Sequence, residues 1–239
     1  TTGAGTLTLG GNVTSTGGAT NASISGNLAL GATRTFTVTN PADGLSVSAV
    51  ISGLAFGITK AGTGTLTLSG TNTYTGVTSI NAGVLSVGTI GNGGVAGNLG
   101  AATNAAANLV LGGGTLEYTG VTASTNRNYT LTAATTSSID VTTNTLTISG
   151  ASTNTTGALT KTGAGTLVLS GANLYTGLTT VSAGTLQEGV ASALSSGAVT
   201  VNGGTFDIVS FSDAVGAVTL TSGTIAGTSG VLTGTSYAM

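Results

Sequence analysis

One stretch of this chain is written twice. Residues 59–88, TKAGTGTLTLSGTNTYTGVTSINAGVLSVG, return with substitutions as TKTGAGTLVLSGANLYTGLTTVSAGTLQEG over 160–189, so that Lys60 and Lys161 stand 101 residues apart. A shortened version, TTGAGTLTLGG, opens the chain. Short alternating runs between glycine-rich turns cannot each bury an apolar side alone, so repetition of this kind calls for units that stack on their neighbours. The chain is therefore read as one repeat protein, residues 1–239, with repeats at 59–88 and 160–189.

A finer period runs inside the long one. TSINAGVLSV, LVLGGGTLEY, TVSAGTLQ, TVNGGTFDI and TLTSGTIAG each join two strand-like pieces through a corner glycine, at Gly83, Gly114, Gly184, Gly204 and Gly223. The last three glycines lie 20 and 19 residues apart, a spacing that fits a β-solenoid turn rather than a propeller blade of about 40 residues. The expectation is an all-β parallel β-helix of about 12 rungs with roughly 20 residues each, its strands stacked about 4.8 Å apart. Period-two alternation sends Leu66 and Leu68 inward and Thr65 and Thr67 outward, and likewise Leu167 and Leu169 inward with Thr166 and Val168 outward. Gly64, Gly70, Gly76 and Gly83 are expected to supply the positive φ of sharp corners. The segment 97–109, GNLGAATNAAANL, reads as a loop insertion, and the turn around Pro41 as another interruption.

Composition removes several function classes. The 239 residues hold 42 glycines, one proline, no Cys, His or Trp, and only 4% charged side chains against 39% hydrophobic ones. Enough aliphatic surface is present to offset the entropy of ordering. The absence of Cys excludes a disulfide scaffold and thiolate chemistry. Arg34, Lys60, Arg127 and Lys161 are the only cations, too few and too scattered to hold nucleic acid or an anionic lipid surface through phosphate contacts. No apolar run approaches the roughly 18 residues of a transmembrane helix, so no membrane insertion is expected of this segment. The chain starts and stops partway through its pattern, and is read as a piece of something longer with uncapped ends.

The string GxGTLxLSGxNxYTGxTxxxAGxLxxG resembles the passenger-associated repeat of bacterial autotransporters. It is filled here by Gly62, Gly64, Thr65, Leu66, Leu68, Ser69, Gly70, Asn72, Tyr74, Thr75, Gly76, Thr78, Ala82, Gly83, Leu85 and Gly88, and in the second copy by Gly163, Gly165, Thr166, Leu167, Leu169, Gly171, Asn173, Tyr175, Gly177 and Gly184 among others. The resemblance implies a right-handed parallel β-helix exported to the bacterial surface or beyond it. It ties the motif to passenger folding and secretion rather than to catalysis.

Candidate chemistry is sparse. The acids are Asp43, Glu117, Asp140, Glu188, Asp207 and Asp213. Glu188, Asp207 and Asp213 lie close enough along the rod to form a carboxylate pair of the polysaccharide-cleaving kind, but with no cation or His beside them they read as solvated acids. No calcium ladder is expected, since GNGGVAGNLG over 91–100 lacks carboxylates. Asn72 and Asn173 are expected to hydrogen-bond corner backbone, and Tyr74 and Tyr175 to cover the core edge. Thr6/Thr8, Thr65/Thr67 and Thr145/Thr147 form TxT pairs of the ice-binding type but do not recur every rung. Two readings remain from the sequence. One is a structural or adhesive rod segment of a surface protein, partnered by flanking repeats and by a host or matrix surface; the other is a fibre built from copies stacked end to end. Neither needs a cofactor.

Overall fold

The computed structural model describes residues 1–17 and 21–239. The chain winds as a parallel β-solenoid of about 11 turns spaced about 21 residues apart, with three sheet faces. The sequence-based expectation of 12 shorter rungs is off by about one because corners vary in length and one turn carries a long excursion. That excursion runs from Gly88 to Asn108 and contains the one helical element among the described residues, a 3-10 turn at Ala106–Asn108.

Face 1 begins with Thr6–Leu9, Asn27–Leu30 and Val50–Ser52. After two turns without a regular strand, it resumes with Ala123–Thr125, Thr145–Ile148, Thr166–Leu169 and Thr185–Glu188. Face 2 stacks Val13–Ser15, Arg34–Val38, Ile58–Ala61, Thr78–Ile80, Leu109–Leu111 and Thr130–Leu131. Face 3 runs through Ala22–Ile24, Gly44–Val47, Thr65–Leu68, Val84–Val87, Thr115–Tyr118, Thr136–Val141, Ala158–Thr162 and Thr179–Val181. Near the carboxy-terminal end the corners straighten, and Val199–Asp207 and Asp213–Ala226 each pass from one face to the next as a single long strand.

Alternation decides what each strand buries. Thr65–Leu68 and Thr166–Leu169 both follow the pattern partly buried, buried, partly buried, buried, which places Leu66, Leu68, Leu167 and Leu169 in the core. In-register pairing then stacks equals on equals: Leu45, Leu66, Leu85, Leu116 and Ile139 form one inward column of face 3. Leu146, Leu167, Leu186 and Phe206 form another on face 1. Each such side chain contributes about 1.5–3 kcal/mol on burial, and the contribution requires its neighbours above and below.

The two repeat copies do not lie on the same faces. Ile58–Ala61 and Thr65–Leu68 occupy faces 2 and 3, whereas their counterparts Ala158–Thr162 and Thr166–Leu169 occupy faces 3 and 1. Lys161 consequently stands directly over Ile139 in the column that begins at Leu45 and Leu66, while Lys60 stands between Phe36 and Ile80. Over 101 residues the chain makes four full turns and one further face, so the second copy is rotated by a third of a turn.

Candidate functional site

The repeat's polar residues are the most organised group in the molecule, and they point inward. Lys60 and Lys161 alternate with buried aliphatics on their strands and are 0% exposed. Each aliphatic stem fills a core position while the ammonium reaches the corner. Lys60 Nζ donates to the carbonyls of Ala61 (2.8 Å), Gly62 (2.7 Å) and Ala82 (3.1 Å). Lys161 Nζ repeats this with Thr162 (2.5 Å), Gly163 (2.9 Å) and Ala183 (3.3 Å). Two acceptors belong to the lysine's own corner and the third to the corner of the next turn, so each side chain pins consecutive turns together. Gly62 and Gly163, at φ +72° and +73°, form the corners that offer these carbonyls. Burial draws both ammonium groups down from 10.5 to about 8, opposed at Lys161 by Asp140.

Asn72 and Asn173 do the same at the opposite corner. Asn72 Oδ1 accepts from the Ile51 N–H of the turn before (2.8 Å), and its Nδ2 donates to the Asn98 carbonyl of the turn after (2.8 Å). Asn173 Oδ1 accepts from the Ser152 N–H (3.0 Å) and the Tyr129 hydroxyl (2.8 Å). Its Nδ2 donates to the Gly171 (3.1 Å) and Ala193 (2.9 Å) carbonyls. A carboxamide, with acceptor and donor on one planar group, replaces the ladder bonds missing where no regular strand forms. Beside each Asn, Tyr74 and Tyr175 are fully buried, their hydroxyls 2.7 Å from Thr78 Oγ1 and Thr179 Oγ1. Dry surroundings hold both phenols well above their usual range.

Arg127 organises the excursion over 88–108. Only 2% exposed, its guanidinium donates to four carbonyls: Gly91 (2.9 Å), Val95 (3.5 Å), Gly100 (2.7 Å) and Ala102 (3.3 Å). Asn98 ties the same segment back to Gly70, Gly88 and Thr89. Arg127 and the two lysines, scattered along the sequence, are all buried carbonyl clamps. The recurrence of the lysine at the same point of both copies was the available signal.

The acids depart from expectation in a similar way. Glu188 and Asp213 are not solvated but 2% and 4% exposed, because residues 188 and 213 fall on inward positions of adjacent turns. The Asp213 carboxylate accepts the N–H groups of Leu194 (2.8 Å) and Ala214 (2.7 Å). Neither oxygen of Glu188 meets a donor, which leaves its own proton to bridge to Asp213. Burial, then Asp213 and Asp207, push the Glu188 carboxyl from 4.5 up to about 9. Asp207 instead accepts from Gln187 Nε2 (3.0 Å) and the Val209 N–H (2.9 Å). Glu117 and Asp140, 23 residues apart in sequence, sit side by side on face 3. Asp43 lines a shallow cavity of about 270 Å³ with Asn21, Ser46, Thr65 and Thr67. Among the described residues no three acids gather as a metal site would require.

A pH dependence follows. Once unfolded, Glu188 releases its proton above about 4.5, whereas the folded chain retains it to about 9, so stability falls as pH rises through that window. The lysines act oppositely, restoring stability only above about 8. Glu188→Gln is therefore expected to flatten the decline in melting temperature between about pH 5 and 8, as read by circular dichroism. An unchanged slope would remove Glu188 as its source.

The motif glycines have a different cause from the expected one. Gly83 and Gly184 have positive φ (+62° and +59°), but Gly64, Gly70 and Gly76 do not. A Cβ on those three would lie 2.4 Å from Asn40 O, 2.1 Å from Ala49 O and 2.3 Å from Phe56 C, all main-chain atoms of the preceding turn. Gly165, Gly171 and Gly177 face the same obstruction. At the corners marked by Gly114 and Gly204 the positive φ falls one residue earlier, at Gly113 and Gly203. Outside, single rather than paired threonine columns recur: Thr145, Thr166, Thr185, Thr205 and Thr224 stand in register on face 1.

Residues 58–87 and 159–187 match the family described as the passenger-associated-transport-repeat. The chain is also similar to the adhesin BmaC autotransporter of Brucella suis biovar 1 (strain 1330), 44% identical over 188 residues that cover 72% of this chain and 5% of that protein. The chain thus spans a small fraction of the length of this curated relative. No solved structure matches it.

Proposed function

We infer that this chain, a stretch of bacterial autotransporter passenger carrying two passenger-associated-transport repeats, serves as a rigid, non-catalytic segment of an adhesive surface protein. Its setting is the bacterial cell surface or the space outside it. The observation that carries the reading is the orientation of the repeat's polar chemistry. Lys60, Lys161, Asn72 and Asn173 are buried and committed to holding one turn on the next, and Tyr74 and Tyr175 are buried beside them with their hydroxyls against Thr78 and Thr179 of their own turns. What remains outside includes a regular threonine column on face 1 and few charges, suited to broad contact rather than to acid–base catalysis. Adhesion is supported further by the name of the Brucella relative. The partners proposed are neighbouring turns of the same passenger along the axis and a host or matrix surface at the sides.

About 11 turns at ~4.8 Å give a rod about 50 Å long. Excising it from a displayed passenger is expected to shorten the molecule by that length in electron micrographs and to weaken bacterial attachment, with surface display retained. Undiminished attachment with full display would remove the adhesive role, and hydrolysis of a polysaccharide by the isolated chain would remove the non-catalytic one.

A further inference from the structure

The sequence contains two Asn-Gly pairs, Asn92–Gly93 and Asn202–Gly203, and the fold treats them in opposite ways. Asn-Gly is the pair most prone to internal attack, because glycine offers no side chain to hinder its backbone nitrogen from reaching the carboxamide carbon. At the first pair both reactants are held: Gly93 N–H donates to Asn126 Oδ1 (2.9 Å) and Asn92 Oδ1 accepts from Asn126 N–H (2.9 Å). Asn126 thus closes a reciprocal bridge over the dipeptide. At the second pair Asn202 and Gly203 are both exposed, and the Asn202 carboxamide makes no hydrogen bond to the described residues. Register between Val199–Asp207 and Asp213–Ala226 also slips on either side of Asn202, leaving Gly203 without a paired residue on the next strand.

We propose that Asn202 is a site of spontaneous deamidation in the folded protein, and that Asn92 is protected from the same reaction by Asn126. The Gly203 nitrogen, losing its proton to solvent base, bonds to Asn202 Cγ and expels the carboxamide nitrogen as ammonia. Water then cleaves one of the two C–N bonds of the resulting succinimide, leaving aspartate or isoaspartate, so that one water is consumed for each ammonia released. Either product makes the chain, formally −2, one unit more negative. Isoaspartate also inserts a methylene into the main chain where Asn202 pairs with Ser222, which disturbs the ladder between the last turns.

The test is mass analysis of proteolytic fragments after incubating the intact chain for days in mildly alkaline buffer, with isoaspartate detected by enzymatic methylation. The fragment holding Asn202 is expected to show the mass gain of amide-to-acid conversion while that holding Asn92 stays unchanged. Asn126→Ala is expected to bring Asn92 into reaction, and in denaturant both sites should convert alike. Conversion of the two asparagines at equal rates in the folded protein would overturn the proposal. So would an inert Asn202 over a period in which the denatured chain converts.

Discussion

Asn173→Ala is expected to destabilise the middle of the rod by about 3–5 kcal/mol and to lower the melting temperature by about 10 °C, without changing the secondary structure type. The substitution removes one carboxamide but orphans three buried groups at once, the Ser152 N–H, the Tyr129 hydroxyl and the Gly171 carbonyl, while the Ala193 carbonyl keeps the Asn173 main-chain N–H (3.2 Å). Each unsatisfied group in a dry interior costs about 1–3 kcal/mol, and partial rearrangement recovers some of it. Asn72→Ala is expected to do less, because the Asn72 side chain bonds one group on each side. Because solenoid stability is nearly a sum of turns and their interfaces, the damage should also be local, so limited proteolysis should open the chain near residues 152 and 193 first. A melting temperature within a degree or two of the parent would show that these bonds are replaced by water at no penalty.

Gly171→Ala should be as severe for a different reason. Its new Cβ would lie 2.4 Å from the Gly150 oxygen and 2.6 Å from its carbon. Both are main-chain atoms of the turn beneath, and neither can retreat without breaking the strand spacing on which every column depends. Overpacking of this kind costs about 3 kcal/mol or more when backbone must move. Gly70→Ala, 2.1 Å from Ala49 O, should behave alike. Gly11→Ala serves as the control, for nothing lies within 4 Å of its Cβ and its φ is not positive. The measurement is chemical denaturation of the three variants, and equal midpoints for Gly171→Ala and Gly11→Ala would contradict close approach as the role of the motif glycines.

Much of the fold is legible because it rests on local rules. Alternation placed Leu66, Leu68, Leu167 and Leu169 inward, and the reiterated glycines marked the corners. What escaped the sequence depends on stacking, which only the folded chain displays. A lysine in a strand reads as solvated, yet Lys60 and Lys161 lie inward because their corners gather carbonyls that an ammonium can satisfy. Glu188 is inward for want of an aliphatic at an alternating core position, and it tolerates this by keeping its proton. The threonine columns of face 1 were hidden because Thr166, Thr185, Thr205 and Thr224 become neighbours only after corners of unequal length are removed. The rotation of the second repeat copy is hidden for the same reason. A 101-residue offset alone suggests five turns of about 20 residues, whereas the long excursion over 88–108 reduces the count to four turns and one face.

That rotation is the most exposed element of the account, and cross-linking measures it directly in a chain with no native cysteine. Ser138 and Thr160 are register partners on adjacent strands of face 3, a spacing of about 4.8 Å that lies within disulfide reach. Had the second copy kept the faces of the first, Thr160 would stand over Thr130 on face 2, as Thr59 stands beneath Ser79. Oxidation of the Ser138→Cys/Thr160→Cys double variant should therefore give a rapid, near-complete intramolecular bond, and the Thr130→Cys/Thr160→Cys variant should give none. Efficient bonding of the second pair, with the first left reduced, would contradict the rotated, turn-by-turn pinning on which the functional reading rests.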